Sequence, residues 1–404
     1  MQILVLNTGS SSVKFSVVET EGERLVLSGQ ADWSALPAKF VLHRPGVEPL
    51  KATLQADTHT AAVTHVLEEI APIIGDLGPL AAIGHRVVHG GDVYTRSVRI
   101  DDGVKKALEE LTELAPLHNP ISLEGINAAE KNWPGVQQVA VFDTAFHATL
   151  SEPARTFAIP RTWTNEWKLR RYGFHGLSHA YCAQQAAKLL GREGSEDLRV
   201  IICHLGHGCS TSAVRGGVCV DTSMGFTPMD GLVMATRAGS IDPGLLIYVL
   251  RHKGLTVEDL DRVLNRESGL QGVSGVSADM RQILQEVRNG HEGAQLALEL
   301  YVRRLRQTIG AMYVMLGGLD ALVFTAGVGE NAVEARAAVC DGLGCLGLEL
   351  DTEANQQCEP DADVSAMTSD ARILVIATRE DLTIVRETVK LLTDEGTALT
   401  HEVE

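Results

Sequence analysis

Positive charge is scarce in this chain of 404 residues: 35 Lys and Arg stand against 52 Asp and Glu, a formal net charge of −17. Nucleic acid and anionic membrane surfaces need a basic face, so the imbalance argues against both as partners. It leaves room for a small phosphate ligand, which needs only a local cluster of Lys, Arg and backbone N–H groups. Cysteine is thin as well. The 7 present, Cys182, Cys203, Cys209, Cys219, Cys340, Cys345 and Cys358, are odd in number and form no C-x-x-C pair. That argues against a disulfide framework or a zinc site. No apolar run reaches the length of a membrane span, and no signal peptide precedes the first strand at Gln2. We therefore expect a soluble protein of the reducing cytoplasm. The P-loop pattern G-x-x-x-x-G-K-[ST] is missing too, and there is no low-complexity segment or short repeat.

What is there suits a well-packed fold. The chain is 45% hydrophobic, enough for sizeable cores, and its length has room for roughly two or three domains. Two short hairpins with the same chemistry lie half a chain apart. The first is Leu6-Asn7-Thr8-Gly9-Ser10-Ser11-Ser12, between the apolar runs Ile3–Leu6 and Val13–Val18. The second is His204-Leu205-Gly206-His207-Gly208-Cys209-Ser210, between Val200–Cys203 and Ser212–Val214. Each reads as strand, glycine-hydroxyl turn, strand. Such turns offer backbone N–H groups and hydroxyls to an anion, because glycine lets the backbone come close. Each could also be an ordinary β-turn. Their pairing suggests two related domains gripping one polyphosphate.

Further strands are expected at Leu25–Leu27, Phe40–Leu42, Ala82–Val88 and Val136–Phe142. Helices are expected at Thr60–Ile74, Val104–Leu114 and Ser122–Asn132. The second hairpin starts the same order again. Helices follow at Pro243–Arg251, Ala278–Val287 and Ala294–Leu316, then strand Ala321–Phe324, helix Ala332–Cys340, strand Ile373–Ile376 and helix Leu382–Leu392. The stripe Leu296, Leu298, Leu300, Leu305, Ile309, Met312 and Met315 reads as core or subunit interface. Asp351–Ala371 reads as a surface loop and Asp394–Glu404 as a fraying tail.

Several segments concentrate chemistry. His85-Arg86-Val87-Val88-His89-Gly90-Gly91 puts a cation at a strand end before two glycines. That can hold an anion, or be a surface arginine beside a turn. His118 lies in a stiff Pro116–Pro120 stretch, and Asn119-Pro120 can start the next helix. Asp143 ends an apolar strand, where α/β proteins place ligands, or caps a turn. Arg170–His179 packs two arginines and two histidines together. Ser178 is expected to cap the following helix, which favours His175 over His179 for function. Asp221–Gly239 is long and irregular, as functional loops are, and Arg237 there can reach a transferring phosphoryl group. Phe324–Asn331 reads as strand, glycine turn, helix, aiming N–H groups at an anion. Glu380 can ligate Mg²⁺ or cap a helix.

Taken together, Asn7 to Lys14, His85 to Gly91, Pro116 to Pro120, Phe142 to His147, Arg171 to His179, Asp221 to Arg237 and Phe324 to Asn331 resemble the acetate kinase family, over residues 2 to about 390. The resemblance implies the α/β fold of acetate and sugar kinases, actin and heat-shock ATPases: two ribonuclease-H-like domains, mixed sheets flanked by helices, around a nucleotide cleft. It implies a first domain of residues 1–146 plus 381–404 on the carboxylate side, and a second of 147–380 that binds nucleotide. Hinges near 146 and 380 would allow closure on ATP. Transfer of phosphate from ATP to acetate, giving acetyl phosphate and ADP with Mg²⁺ or Mn²⁺, follows as the implied activity, with a homodimer as the implied assembly.

By motif, Asn7 and Glu380 would help place the metal and Lys14 would meet ATP phosphates. Arg86 would bind the substrate carboxylate, with Val88, Leu117, Phe174 and Pro228 around its methyl group. Asp143 would be the essential acidic residue, and His175 and Arg237 would stabilise the transferring phosphoryl group. His204, Leu205, Gly206, His207 and Gly208, with Gly327, Val328, Gly329, Glu330 and Asn331, would hold nucleotide phosphates. Asp279, Met280 and Arg281 would hold ribose and adenine. Two departures stand out: the family usually has asparagine at His207 and aspartate at Ser240. We expect altered nucleotide affinity from the first and a freer Arg237 from the second. A kinase for propionate or another short acid, and an actin-type nucleotide switch, are the competing readings.

Overall fold

The computed structural model describes residues 1–9, 12–33, 38–54, 59–115 and 118–401. The chain divides into two compact units, Met1–Phe146 with Arg379–Glu404, and His147–Thr378.

The first unit is built on an eight-stranded sheet. Its strands are β1 (Gln2–Thr8), β2 (Ser12–Glu19), β3 (Arg24–Asp32), β4 (Ala38–Arg44), β5 (Val47–Leu54), β6 (Leu80–Val87), β7 (Val98–Arg99) and β8 (Gln137–Phe142). They lie in the order β5-β4-β3-β2-β1-β6-β8-β7. β1 pairs antiparallel with β2 and parallel with β6, and β6 runs parallel to β8. Ile3, Leu4, Val5 and Leu6 are all buried, as a strand covered on both faces requires. Helix His59–Gly75 covers one face through Val63, Val66, Leu67, Ile70 and Ile74. Helix Glu380–His401 lies so close to β6 that a Cβ on Gly84 would come within 2.4 Å of Ile384 Cγ2.

The second unit repeats the pattern in a six-stranded sheet. Its strands are β9 (Arg199–Leu205), β10 (Cys209–Arg215), β11 (Val218–Thr222), β12 (Ala321–Thr325), β13 (Ala362–Asp363) and β14 (Arg372–Val375), ordered β11-β10-β9-β12-β14-β13. The β9–β10 hairpin is antiparallel, and β12 runs parallel to both β9 and β14. In both units a hairpin and a third strand lie on one side of the first strand, with parallel strands on the other. This is the ribonuclease-H-like order, present twice.

Several elements differ from expectation. Helix Asn119–Asn132 starts three residues early because Pro120 fits its first turn. The stretch Asp351–Ala371 is more than a surface loop. Asp351 caps a short helix, Thr352–Gln356, and β13 pairs antiparallel with β14. Its polar residues are used locally: Asn355 accepts from the buried Arg336 at 2.7 Å. The terminal segment read as a frayed tail is helical to His401. In helix Glu292–Leu316 only Leu305, Ile309 and Met312 of the expected stripe lie in the buried face, which is completed by Ala294, Ala297, Tyr301, Val302 and Leu316. Leu296, Leu300 and Met315 are exposed. Ala, Tyr and Val therefore share the buried face with Leu, Ile and Met.

Candidate active site

In the first unit, strand ends and one helix start bring four side chains together. Arg86 sits near the end of β6, Asp143 just beyond β8, Asn7 near the end of β1, and Glu380 opens the terminal helix. Arg86 Nε donates to Asp143 Oδ1 at 3.0 Å, and Nη2 donates to Oδ2 at 2.5 Å. Nη1 donates to Asn7 Oδ1 at 3.3 Å and lies 3.9 Å from Glu380 Oε2. Asp143 is 1% exposed, so its carboxylate is tolerable only because the guanidinium pairs with both oxygens. Burial works against the charge of Arg86, but Asp143 and Glu380 outweigh it and hold its pKa above the ordinary value. Lys14 is exposed on β2, directly across from Asn7. Val88 is half-buried just after β6.

Oxygen donors dominate this group. A Mg²⁺ that travels with phosphates keeps much of its shell from phosphate and water and takes one or two protein oxygens. The Asn7 amide oxygen and the Glu380 carboxylate fit that demand. Among the described residues, no group of three His, Cys, Asp or Glu could hold a metal unaided.

In the second unit the chemistry gathers around the β9–β10 turn. Gly206 N–H donates to Gly208 O at 3.0 Å, closing a turn with His207 at its tip. Leu205 and His204 are buried behind it. His175 precedes helix Gly176–Leu189 with φ 58° and ψ 26°, a left-handed backbone that non-glycine residues seldom adopt. Its ring stacks on His204 with centroids 4.2 Å apart. Ser178 does not cap this helix. It lies inside the first turn, and its hydroxyl is 2.8 Å from His204 Nδ1. A Cβ on Gly208 would meet His175 Nε2 at 3.2 Å and Arg237 Nη1 at 3.3 Å, so both nitrogens flank this glycine. Arg237 Nη1 donates to Pro228 O at 2.9 Å. Burial lowers the Arg237 pKa. His207, though exposed, is held below the ordinary histidine value, first by desolvation and then by the charge of Arg237.

The irregular run after β11 is held by side chains the sequence did not single out for that task. Arg171 Nη1 donates to the carbonyls of Thr222, Ser223 and Met224 at 2.9, 3.2 and 3.1 Å. Ser240 Oγ donates to Asp230 Oδ1 at 2.6 Å and accepts from Gly231 N–H. Ser240 therefore fastens a turn and leaves Arg237 to a carbonyl. Phe174 is 1% exposed, and Pro228 is half-buried. Val88 belongs to the first unit and these two to the second; Leu117 lies outside the described residues, as do Ser10, Ser11 and Pro116.

Gly327, Val328, Gly329, Glu330 and Asn331 lie within a six-residue helix, Ala326–Asn331, directly after β12. The expected glycine turn is thus itself helical. Its first amide, Ala326 N–H, donates to Thr378 Oγ1 at 2.9 Å, and Glu330 Oε1 accepts from Thr378 N–H at 2.8 Å. Buried Arg336 donates to the Gly329 and Glu330 carbonyls at 3.0 and 2.7 Å. Its only signal in the sequence is an arginine among small residues, Ala335-Arg336-Ala337. Asp279 caps helix Met280–Arg288 and pairs with exposed Arg281, whereas Met280 is buried. Asp279, Arg281, Val276, Ser277 and Gln282 line a groove of about 650 Å³, within the range of small-molecule sites.

The model of the acetokinase family matches residues 2–386. An acetate kinase of Trichormus variabilis is 46% identical over 405 residues, covering 97% of this chain and 100% of the relative. A crystal structure of Porphyromonas gingivalis acetate kinase aligns with TM-score 0.89 at 37% identity, covering 97% of this chain and 99% of the other. A propionate kinase from Francisella tularensis also aligns with TM-score 0.89, at 39% identity, covering 96% and 98%.

Proposed function

The chain belongs to the acetokinase family and is a phosphotransferase, and we propose that it transfers phosphate from ATP to acetate by direct attack of the acetate carboxylate. The observation that carries this reading is the Arg86 fork between Asp143, Asn7 and Glu380. A guanidinium has five N–H donors, and the bonds described above engage three of them. The remaining N–H groups suit a second carboxylate, and Val88 beside Arg86 suits its methyl group.

A carboxylate is ionised at neutral pH and is its own nucleophile, so the protein needs no strong base. Asp143 then orients Arg86 and needs no proton transfer of its own. Lys14, His175, Arg237 and the β9–β10 turn neutralise charge on the phosphates, which is the main task in phosphoryl transfer. Asn7 and Glu380 would hold Mg²⁺, which when bound adds positive charge at the phosphate oxygens. The Asp279–Arg281 groove takes ribose and base, and residues Gly327 to Asn331 line the phosphates.

Propionate is the second acceptor to consider, because one structural relative is a propionate kinase. One methylene is worth only about 1–3 kcal/mol of discrimination, so acetate is preferred and propionate accepted. Among the described residues no helix is long and apolar enough to cross a membrane. Cytoplasmic location and a homodimer complete the proposal.

The test is a hydroxamate assay with ATP, Mg²⁺ and acetate, propionate or butyrate in parallel. Hydroxamate with acetate above propionate supports the reading. ATP binding without acyl phosphate from any acid would replace it with a nucleotide switch.

A further inference from the structure

We propose that Ser210 and His179 are positioning residues that hold His175 as its Nε2–H tautomer, with that N–H directed at the glycine turn where the phosphoryl group transfers. The assignment deepens the role given to His175 above and rests on it.

The geometry starts from one hydroxyl. Ser210, on β10, is fully buried, and its Oγ lies 2.9 Å from His175 Nδ1 and 2.8 Å from His179 Nε2. A hydroxyl has a single proton. It can donate to only one of these nitrogens, so the other must bring its own N–H.

His179 decides which. It too is fully buried, and among the described residues its Nδ1 has no hydrogen-bond partner. A proton on Nδ1 would be a buried orphan donor, a rare and costly state. A proton on Nε2 is bonded to Ser210, and it is the form that a neutral histidine side chain favours by itself. Burial, with His147 and His204 nearby, pushes the His179 pKa well below the ordinary value. The ring therefore carries one proton, on Nε2, and donates it to Ser210.

The direction of the chain follows. Ser210 accepts from His179 and donates to His175 Nδ1. A neutral His175 that accepts at Nδ1 bears its proton on Nε2. That nitrogen and Arg237 Nη1 flank Gly208, so a donor there adds to the guanidinium in binding an anionic oxygen. The opposite tautomer would point a lone pair at the same oxygen. His175 immediately precedes helix Gly176–Leu189, and His179 lies in that helix's first turn. One residue before the helix, one within it and one strand position thus suffice to set the proton.

Histidine ¹⁵N NMR of the full-length protein at neutral pH tests the assignment, with His175→Gln identifying the ring. The wild type should show His175 as Nε2–H alone. Ser210→Ala should mix the two tautomers and lower kcat about tenfold, the worth of one hydrogen bond, while KM for ATP and acetate stays within about twofold. Ser210→Thr, which restores the hydroxyl, should recover the single tautomer. A wild-type ring protonated on Nδ1 overturns the proposal without any variant, as does an unchanged tautomer in folded Ser210→Ala. If the tautomer shifts as expected but His175→Gln turns over like wild type, the proton assignment stands and the phosphoryl role of His175 falls.

Discussion

Arg237 illustrates how a single side chain can be prepared for a charge that arrives only with substrate. It is half-buried, its pKa is lowered by burial, and its bond goes to a carbonyl of Pro228. Ser240, three residues on, is occupied with Asp230. A desolvated cation held by a carbonyl dipole and the Met234 thioether, with no counter-ion among the described residues, gains most when negative charge develops beside it. Arg237→Ala should therefore lower kcat by about 10²–10³ with little change in KM; steady-state kinetics showing a pure KM effect would make Arg237 a binding residue only. His207, at the tip of the turn, is proposed to act on nucleotide affinity instead. Its pKa lies below the ordinary histidine value of about 6.5, so it is mostly neutral at pH 7 and gains charge as pH falls beneath that range. The KM for ATP should then fall on acidification relative to His207→Asn, and parallel pH profiles for the two proteins would remove His207 from the phosphate site. His85 titrates for stability alone. Burial pushes it down to about 4, against a hydrogen bond with Gln138 that raises it. The unfolded chain binds this proton near 6.5 and the folded one only near 4. Stability is therefore complete above about 6.5 and falls by about 3 kcal/mol as pH drops to 4. Urea melts of wild type and His85→Gln should differ in slope across that window, and equal slopes would remove His85 as the cause.

At the scale of elements, the contact of helix Glu380–His401 with β6 couples packing to chemistry. A methyl group on Gly84 would collide with Ile384 Cγ2 at 2.4 Å and Thr388 Oγ1 at 2.8 Å. Gly84→Ala should cost about 1–3 kcal/mol by overpacking and shift the helix start, where Glu380 faces Arg86. The expected outcome is a lower melting temperature together with a raised KM for acetate; a stable variant with unchanged KM would separate the helix from the site. Gly84 gives no warning in the sequence, because a glycine within an apolar strand looks like any other. The strands of the two hairpins were legible, since β-branched runs bounded by glycine and serine have few alternatives. The motif residues Arg86, Asp143, Asn7 and Glu380 were legible individually, but their convergence on one guanidinium depends on pairing β1, β6 and β8 across a long separation. Ser210, Arg171 and Arg336 were missed as organisers for the same reason. Their partners are distant rings, the distant Asn355 side chain and main-chain carbonyls, and carbonyls leave no mark on sequence. In helix Glu292–Leu316 the stripe, read as core or subunit interface, joins buried Leu305, Ile309 and Met312 to exposed Leu296, Leu300 and Met315.

Across the molecule, one strand order is used twice, and the two copies have diverged in what they carry. In the first unit the ends of the parallel strands present an arginine among oxygens. In the second, the hairpin presents histidines and an arginine around glycine. The first set suits a carboxylate with a metal-bound phosphate, the second suits phosphates, and the Asp279–Arg281 groove suits a nucleoside. The overall charge of −17 would repel both proposed anionic substrates, so local cationic groups would have to hold them. This division makes a kinetic prediction. Arg86→Gln removes charge-assisted bonds worth about 1.5–3 kcal/mol, so KM for acetate should rise about 10- to 100-fold while KM for ATP moves less than about threefold. Arg281→Ala should do the opposite on a smaller scale, raising KM for ATP about two- to fivefold, because exposed ion pairs contribute little. The ratio of propionate to acetate kcat/KM should be unchanged in Arg281→Ala and should rise in Val88→Ala, which widens the space beside Arg86. A bisubstrate kinetic matrix on the three variants reads all of this at once. If Arg86→Gln raised both KM values equally, the acceptor and donor would not be held separately, and the assignment of one reactant to each unit would have to be abandoned.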